Sequence, residues 1–134
     1  MQRILVIDDE PFVLEALTRV LASSEVAVIG ASNADAGLQA MRESPVDLVI
    51  IDVILPGMDG VAAIKVMRGE FPHVRIIAIS GGGNFGLNAY LPDAISTNAY
   101  LAACKVAGAN GTLAKPFETA DLRSLISQVQ SAAA

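Results

Sequence analysis

The chain has 134 residues, a formal net charge of −5 and a hydrophobic share of 53%, which suits one domain, residues 1–134, with a proper core. No apolar run approaches the ~18 residues of a membrane span, and the start MQRILVIDDE lacks the apolar segment and cleavage site of a signal peptide. The acidic balance and the absence of Trp argue against direct nucleic acid binding, and the single Cys104 can form no internal disulfide, which fits a cytoplasmic home.

Apolar runs alternate with helical spacing along the chain. Arg3 to Ile7 reads as a first strand, and Pro11 to Ser23, with Val13, Leu14, Leu17, Val20 and Leu21, as a helix. Val26 to Ala31 reads as a second strand. Asn33 is a plausible cap for a helix carrying Ala34, Leu38 and Met41. Asp47 to Asp52 forms a third strand. Asp59 caps a helix with Ile64, Met67 and Phe71 on one side. Val74 to Ser80 is a fourth strand. A long segment then leads to a helix of roughly Asp93 to Ala107. Gly111 to Ala114 is a short fifth strand, and Leu122, Leu125, Ile126 and Val129 mark a last helix.

Five βα units of this kind predict an α/β fold with a parallel sheet covered by helices on both faces. The doubly wound, flavodoxin-like order 2-1-3-4-5 fits the length. In such sheets ligands bind beyond the carboxyl ends of the strands, at the switch point between strands 1 and 3. The polar residues predicted there are Asp8, Asp9 and Glu10 after strand 1, Asp52 after strand 3, Ser80 after strand 4 and Lys115 after strand 5.

Asp52 follows four apolar residues and precedes three more, so an ionised carboxylate there needs a reason. Asp8, Asp9 and Asp52 converge in the predicted order, and three close carboxylates repel. Mg²⁺, which prefers oxygen ligands, resolves that conflict. Lys115 adds a charge suited to a phosphate oxygen. Asp52 is then a candidate nucleophile toward phosphorus, and the Ser80 hydroxyl a partner for the transferred group.

The motifs IDDE, IDVILPGMDG, ISG and LAKPF, in this order, resemble the receiver domain of two-component response regulators. The resemblance implies that Asp52 is the phospho-acceptor. It implies direct Mg²⁺ ligation by Asp9, Asp52 and the backbone carbonyl of Ile54, with Asp8 reaching the metal through water. Ser80 resembles the switch hydroxyl and Lys115 the phosphate-pairing lysine, its bond to Pro116 expected to be cis. The phosphoryl donor it implies is a histidine kinase or phosphotransfer protein.

Two features depart from the family pattern. The position three before the lysine, usually Tyr or Phe, is Thr112. The span from Ser80 to Lys115 is longer than usual by about a dozen residues, a comparison that comes from the resemblance. Four glycines open that span, at 81, 82, 83 and 86, and such residues are loose in backbone conformation. The segment Asn84 to Val106 carries only Asp93 and Lys105 as charges, so a lid or a partner surface is expected there. Ile54 and Gly82 offer no side chain to orient water, which predicts slow self-dephosphorylation.

The simpler readings differ by residue. Asp59 with Gly60 is a helix cap, His73 an exposed loop residue, Cys104 a small core residue. Gly81 to Gly83 lack the rest of a phosphate-binding P-loop. The rival functions are a haloacid-dehalogenase-like phosphatase, which needs a second Asp where Ile54 stands, and a pseudo-receiver that binds partners unmodified. The leading expectation is a stand-alone receiver that catalyses its own phosphorylation and dephosphorylation without turnover. Its output would be protein contact or onward phosphotransfer, and the apolar last segments permit a homodimer.

Overall fold

A computed structural model describes residues 2–53, 59–80, 93–115 and 117–131. Five strands, β1 (Gln2–Ile7), β2 (Val26–Ala31), β3 (Leu48–Asp52), β4 (Arg75–Ser80) and β5 (Gly111–Ala114), alternate with five helices. These are α1 (Pro11–Leu21), α2 (Ala34–Glu43), α3 (Gly60–Glu70), α4 (Asp93–Ala107) and α5 (Thr119–Ser131). All strand pairs are parallel and the order is β2-β1-β3-β4-β5. The doubly wound fold expected from the sequence is the one formed.

Central β3 is buried along its whole length, because both of its faces are covered. Its side chains sort by strand alternation. Val49 and Ile51 join Leu5, Ile7, Ile76 and Ala78 in a core against α2, α3 and α4, closed by Leu38, Met41, Ala63, Ile64, Met67 and Cys104. Leu48 and Ile50 join Ile4, Val6, Ile77 and Ile79 in a second core against α1 and α5, closed by Leu17, Leu122 and Val129.

The expected caps form: Asn33 Oδ1 accepts from the Ala36 N–H at 2.7 Å, and Asp59 Oδ1 from the Val61 N–H at 2.9 Å. His73 is exposed and Cys104 fully buried, also as expected. Boundaries shift by a residue or two. β1 begins one residue early, where the Gln2 N–H reaches Glu25 O at 2.9 Å. α1 stops at Leu21 because Ala22 is extended and Ser23 bridges back to Val26. β3 starts at Leu48, since Asp47 turns its carboxylate onto the Arg3 N–H at 2.8 Å. β4 starts at Arg75, and Phe71 caps α3 rather than continuing it. Ile54, Gly82, Pro116 and the insert residues before 93 lie outside the described residues. Among the described residues no helix is long and apolar enough to cross a membrane.

Candidate functional site

Strand alternation decides what meets at the carboxyl edge of the sheet. Asp8 is two residues beyond Val6, Asp52 two beyond Ile50, and Lys115 two beyond Leu113. All three of those apolar residues belong to the core on the α1 and α5 side. The three charged side chains converge accordingly. Lys115 Nζ lies 3.2 Å from Asp8 Oδ2 and 3.2 Å from Asp52 Oδ2. Asp8 is only 3% exposed and Asp52 8%. The backbone sets up the contact: the Asp8 N–H reaches Ala31 O at 3.0 Å, and the Lys115 N–H reaches Ser80 O at 2.8 Å.

Asp8 uses its other oxygen locally. Oδ1 accepts from the Glu10 N–H at 2.9 Å, which fixes the turn into α1. Asp9 is exposed, yet it offers an oxygen to the same cluster. One carboxylate oxygen from each of Asp8, Asp9 and Asp52 lies within 4.8 Å of the others. Three hard oxygen donors at this spacing suit Mg²⁺, which binds to one or two carboxylates and keeps several waters. The Ile54 carbonyl and the Lys115–Pro116 bond fall outside the described residues.

Lys115 is held as a cation. Burial alone would lower the pKa of its ammonium, but the charges of Asp52 and Asp8, with hydrogen bonds to both, outweigh it and raise the pKa. The ammonium thus holds positive charge between two carboxylates at ordinary pH.

Ser80 is at the same edge but on the other face. It alternates with Ile76 and Ala78, which pack toward α3 and α4. It is 1% exposed, and its Oγ has no hydrogen-bond partner among the described residues. Thr112 pairs in register with Ala78 and is half-buried. Gly111 and Leu113 contact or face α5, so Thr112 alternates to the Ser80 face. The structure therefore brings Asp8, Asp9, Asp52 and Lys115 together, with Ser80 at the end of the adjacent strand and on the opposite face by strand alternation.

One residue close to the site was not singled out for it from the sequence. Gly60 begins α3 against Val53, the residue after Asp52, and donates to its carbonyl at 3.2 Å. A cap followed by glycine reads as a helix start and gives no hint of what it touches.

The family model described as the response regulator receiver domain matches residues 4–127. Among curated relatives, DNA-binding response regulator MtrA of Mycolicibacterium smegmatis is 45% identical over 71 residues, 52% of this chain and 30% of that protein. Transcriptional regulatory protein MctR of Rhizobium johnstonii is 29% identical over 121 residues, 82% of this chain and 56% of that one. The chain thus spans well under two thirds of the length of these relatives. A crystal structure of a response regulator receiver domain protein from Clostridium thermocellum superposes with a TM-score of 0.80 at 26% identity, covering 96% of this chain and 94% of that one. The receiver domain of NtrX from Brucella abortus has the same TM-score at 24% identity, covers 96% and 98%, and bears on the fold alone. Because the family match runs from β1 into α5 and takes in every strand end described above, the chain belongs to the response regulator receiver domains of two-component systems.

Proposed function

We propose that Asp52 accepts a phosphoryl group from a phosphohistidine of a histidine kinase or phosphotransfer protein. One observation carries this reading: Lys115 Nζ bridges Asp8 and Asp52 at 3.2 Å inside an acidic cluster that includes Asp9. An Asp52 carboxylate oxygen attacks phosphorus, the P–N bond breaks, and the imidazole leaves with that electron pair. The product is an acyl phosphate on Asp52. Asp8, Asp9 and Asp52, with the Ile54 carbonyl, would hold Mg²⁺, which supplies positive charge to the phosphoryl oxygens when bound.

Lys115 is already a cation beside Asp52, so it needs no protonation step to pair with a phosphoryl oxygen. Ser80 lies at the end of the neighbouring strand, with a hydroxyl that no described group satisfies. Turning that hydroxyl toward the modified Asp52 gives it a partner and removes the cost of an unpaired buried group. The switch in this reading is Ser80, with Thr112 rather than an aromatic ring beside Ala78.

The chain is a signalling module in this reading, without turnover of a separate substrate, and its output is a change in protein contacts. Without a side chain to orient water at positions 54 and 82, the acyl phosphate would be long-lived. Incubation with Mg²⁺ and acetyl phosphate should give an acid-stable, base-labile mass gain that Asp52→Asn abolishes. A gain that survives in that variant places the acceptor elsewhere and ends this assignment.

A further inference from the structure

Val53 follows Asp52 directly and is held by both of its backbone polar groups. Its N–H donates to Ile79 O at 2.9 Å, and its carbonyl accepts from the Gly60 N–H at 3.2 Å. Its side chain is 2% exposed in the core facing α3. The chain leaving Asp52 is therefore pinned between β4 and the first turn of α3.

Gly60 makes that approach feasible. A Cβ built on it would lie 2.4 Å from Val53 Cα, 2.7 Å from Val53 O and 2.9 Å from Val53 C. Carbon atoms pack at about 3.5–4.0 Å, so a methyl group overlaps by about 1 Å. All three atoms are backbone, and no side-chain rotation relieves the overlap. Nor can α3 retreat easily, because Ala63, Ile64 and Met67 are fully buried and interiors are close-packed.

Resting on the acidic-site reading above, we propose that Gly60 is a positioning residue for Asp52: its missing side chain lets α3 fix Val53, and so the third carboxylate of the cluster. The displacement caused by a methyl group at 60 passes into the backbone one residue from Asp52. Mg²⁺ demands near-ideal geometry at short ligand distances, and changes behind metal ligands typically weaken affinity ten- to a hundredfold, roughly.

Two other glycines separate this effect from crowding in general. A Cβ at Gly111 would also be tight, 2.9 Å from Leu125 Cδ1 and 3.0 Å from Val129 Cγ1, but against flexible side-chain ends near the start of β5. A Cβ at Gly69 meets nothing within 4 Å, and alanine there favours the α3 helix by up to about 1 kcal/mol. Gly69→Ala is therefore a stabilised parent in which Gly60→Ala can be carried.

The experiment measures Mg²⁺ binding by calorimetry and phosphoryl uptake from acetyl phosphate, with circular dichroism to follow the fold. Gly60→Ala in the Gly69→Ala parent should weaken Mg²⁺ binding by about tenfold or more and slow uptake, with the helical signal retained. Gly111→Ala in the same parent should leave Mg²⁺ affinity unchanged. Affinity in the Gly60→Ala variant equal to the parent's would overturn the inference, as would an equal loss in Gly111→Ala. If the parent itself neither binds Mg²⁺ nor takes up phosphoryl, the acidic-site reading falls first and this inference with it.

Discussion

The ammonium of Lys115 lies 3.2 Å from Asp52 Oδ2, and it touches Asp8 Oδ2 at the same distance. One cation from the end of β5 therefore ties the ends of β1 and β3. Both Asp8 oxygens are engaged in this arrangement, since Oδ1 accepts from the Glu10 N–H.

In the proposed reading Lys115 would compete with a metal ion for the carboxylates of Asp8 and Asp52. Lys115→Met removes a positive charge a few ångströms from the cation site. Even at the dielectric constant of water, that repulsion is about 1–2 kcal/mol. Mg²⁺ should bind the variant roughly tenfold more tightly, while phosphoryl uptake from acetyl phosphate falls. Calorimetry and mass spectrometry read the two effects. Weaker Mg²⁺ binding in the variant would show that the lysine organises the acids rather than competing for them.

The same contact predicts a pH dependence. The Lys115 pKa is raised in the folded chain: burial opposes the charge, and Asp52 and Asp8 outweigh burial. A raised pKa means that the charged lysine favours the folded state. That contribution is complete below the unfolded lysine value of about 10.4 and is lost as pH rises through the higher folded value. Urea unfolding of wild type and Lys115→Met should give a constant stability difference from pH 7 to pH 9. The wild-type contribution should then decline above about pH 10.4. A difference that changes between pH 7 and pH 9 would contradict this.

Arg68 is the strap at the other end of the sheet. Its guanidinium donates to Gly108 O at 2.8 and 3.2 Å, to Val74 O at 2.7 Å, to Pro72 O at 3.0 Å and to Asn110 Oδ1 at 2.8 Å. These bonds join the end of α3 to the approach to β4 and to the turn between α4 and β5. Burial, and then the charge of Arg75, lower its pKa. Arg68→Met leaves several carbonyls without a donor and should cost about 2–3 kcal/mol by urea unfolding. Arg68→Lys should restore little, because an ammonium cannot span the fork. Mg²⁺ affinity should not change in either variant.

These contacts differ in how far the sequence announces them. The unbroken run Leu48 to Ile51 already implies a strand covered on both faces, and Asp8, Asp52 and Lys115 stand at strand ends where the chain order brings them together. Asn33 and Asp59 carry their capping chemistry locally. Arg68 does not, because its acceptors are mostly backbone carbonyls, which look alike in any sequence, and two of them belong to residues at 108 and 110. Gly60 is hidden for a related reason: what requires glycine there is the backbone of Val53, not a side chain with a signature. For Ser80 the residue type points to the site, while its orientation depends on which face of β4 it occupies.

Cys104 is fully buried in the core under α4. Burial, with the charge of Asp59 adding to it, pushes its thiol up to about 11. The thiolate is the reactive form, so the native protein should not react with a disulfide reagent at pH 8. Reaction should proceed only as fast as the core opens, and urea should release it in step with unfolding. Rapid labelling of the native chain would show that α4 opens far more often than the rest of the fold.

Ser80 offers the sharpest test of the switch, because two effects of one substitution should have opposite signs. In the unmodified protein its buried Oγ has no partner among the described residues. Ser80→Ala removes an unsatisfied hydroxyl and should raise stability by about 1 kcal/mol. In the proposed reading, Mg²⁺ and beryllium trifluoride would place a phosphoryl mimic on Asp52, and wild type should gain a bond from Ser80 that the alanine lacks. The added stability from the mimic should therefore be smaller in Ser80→Ala by about 1–2 kcal/mol. Urea unfolding of both proteins, with and without the mimic, gives all four values. If Ser80→Ala gains as much from the mimic as wild type, the hydroxyl does not turn toward Asp52, and the signal leaves the site by another route.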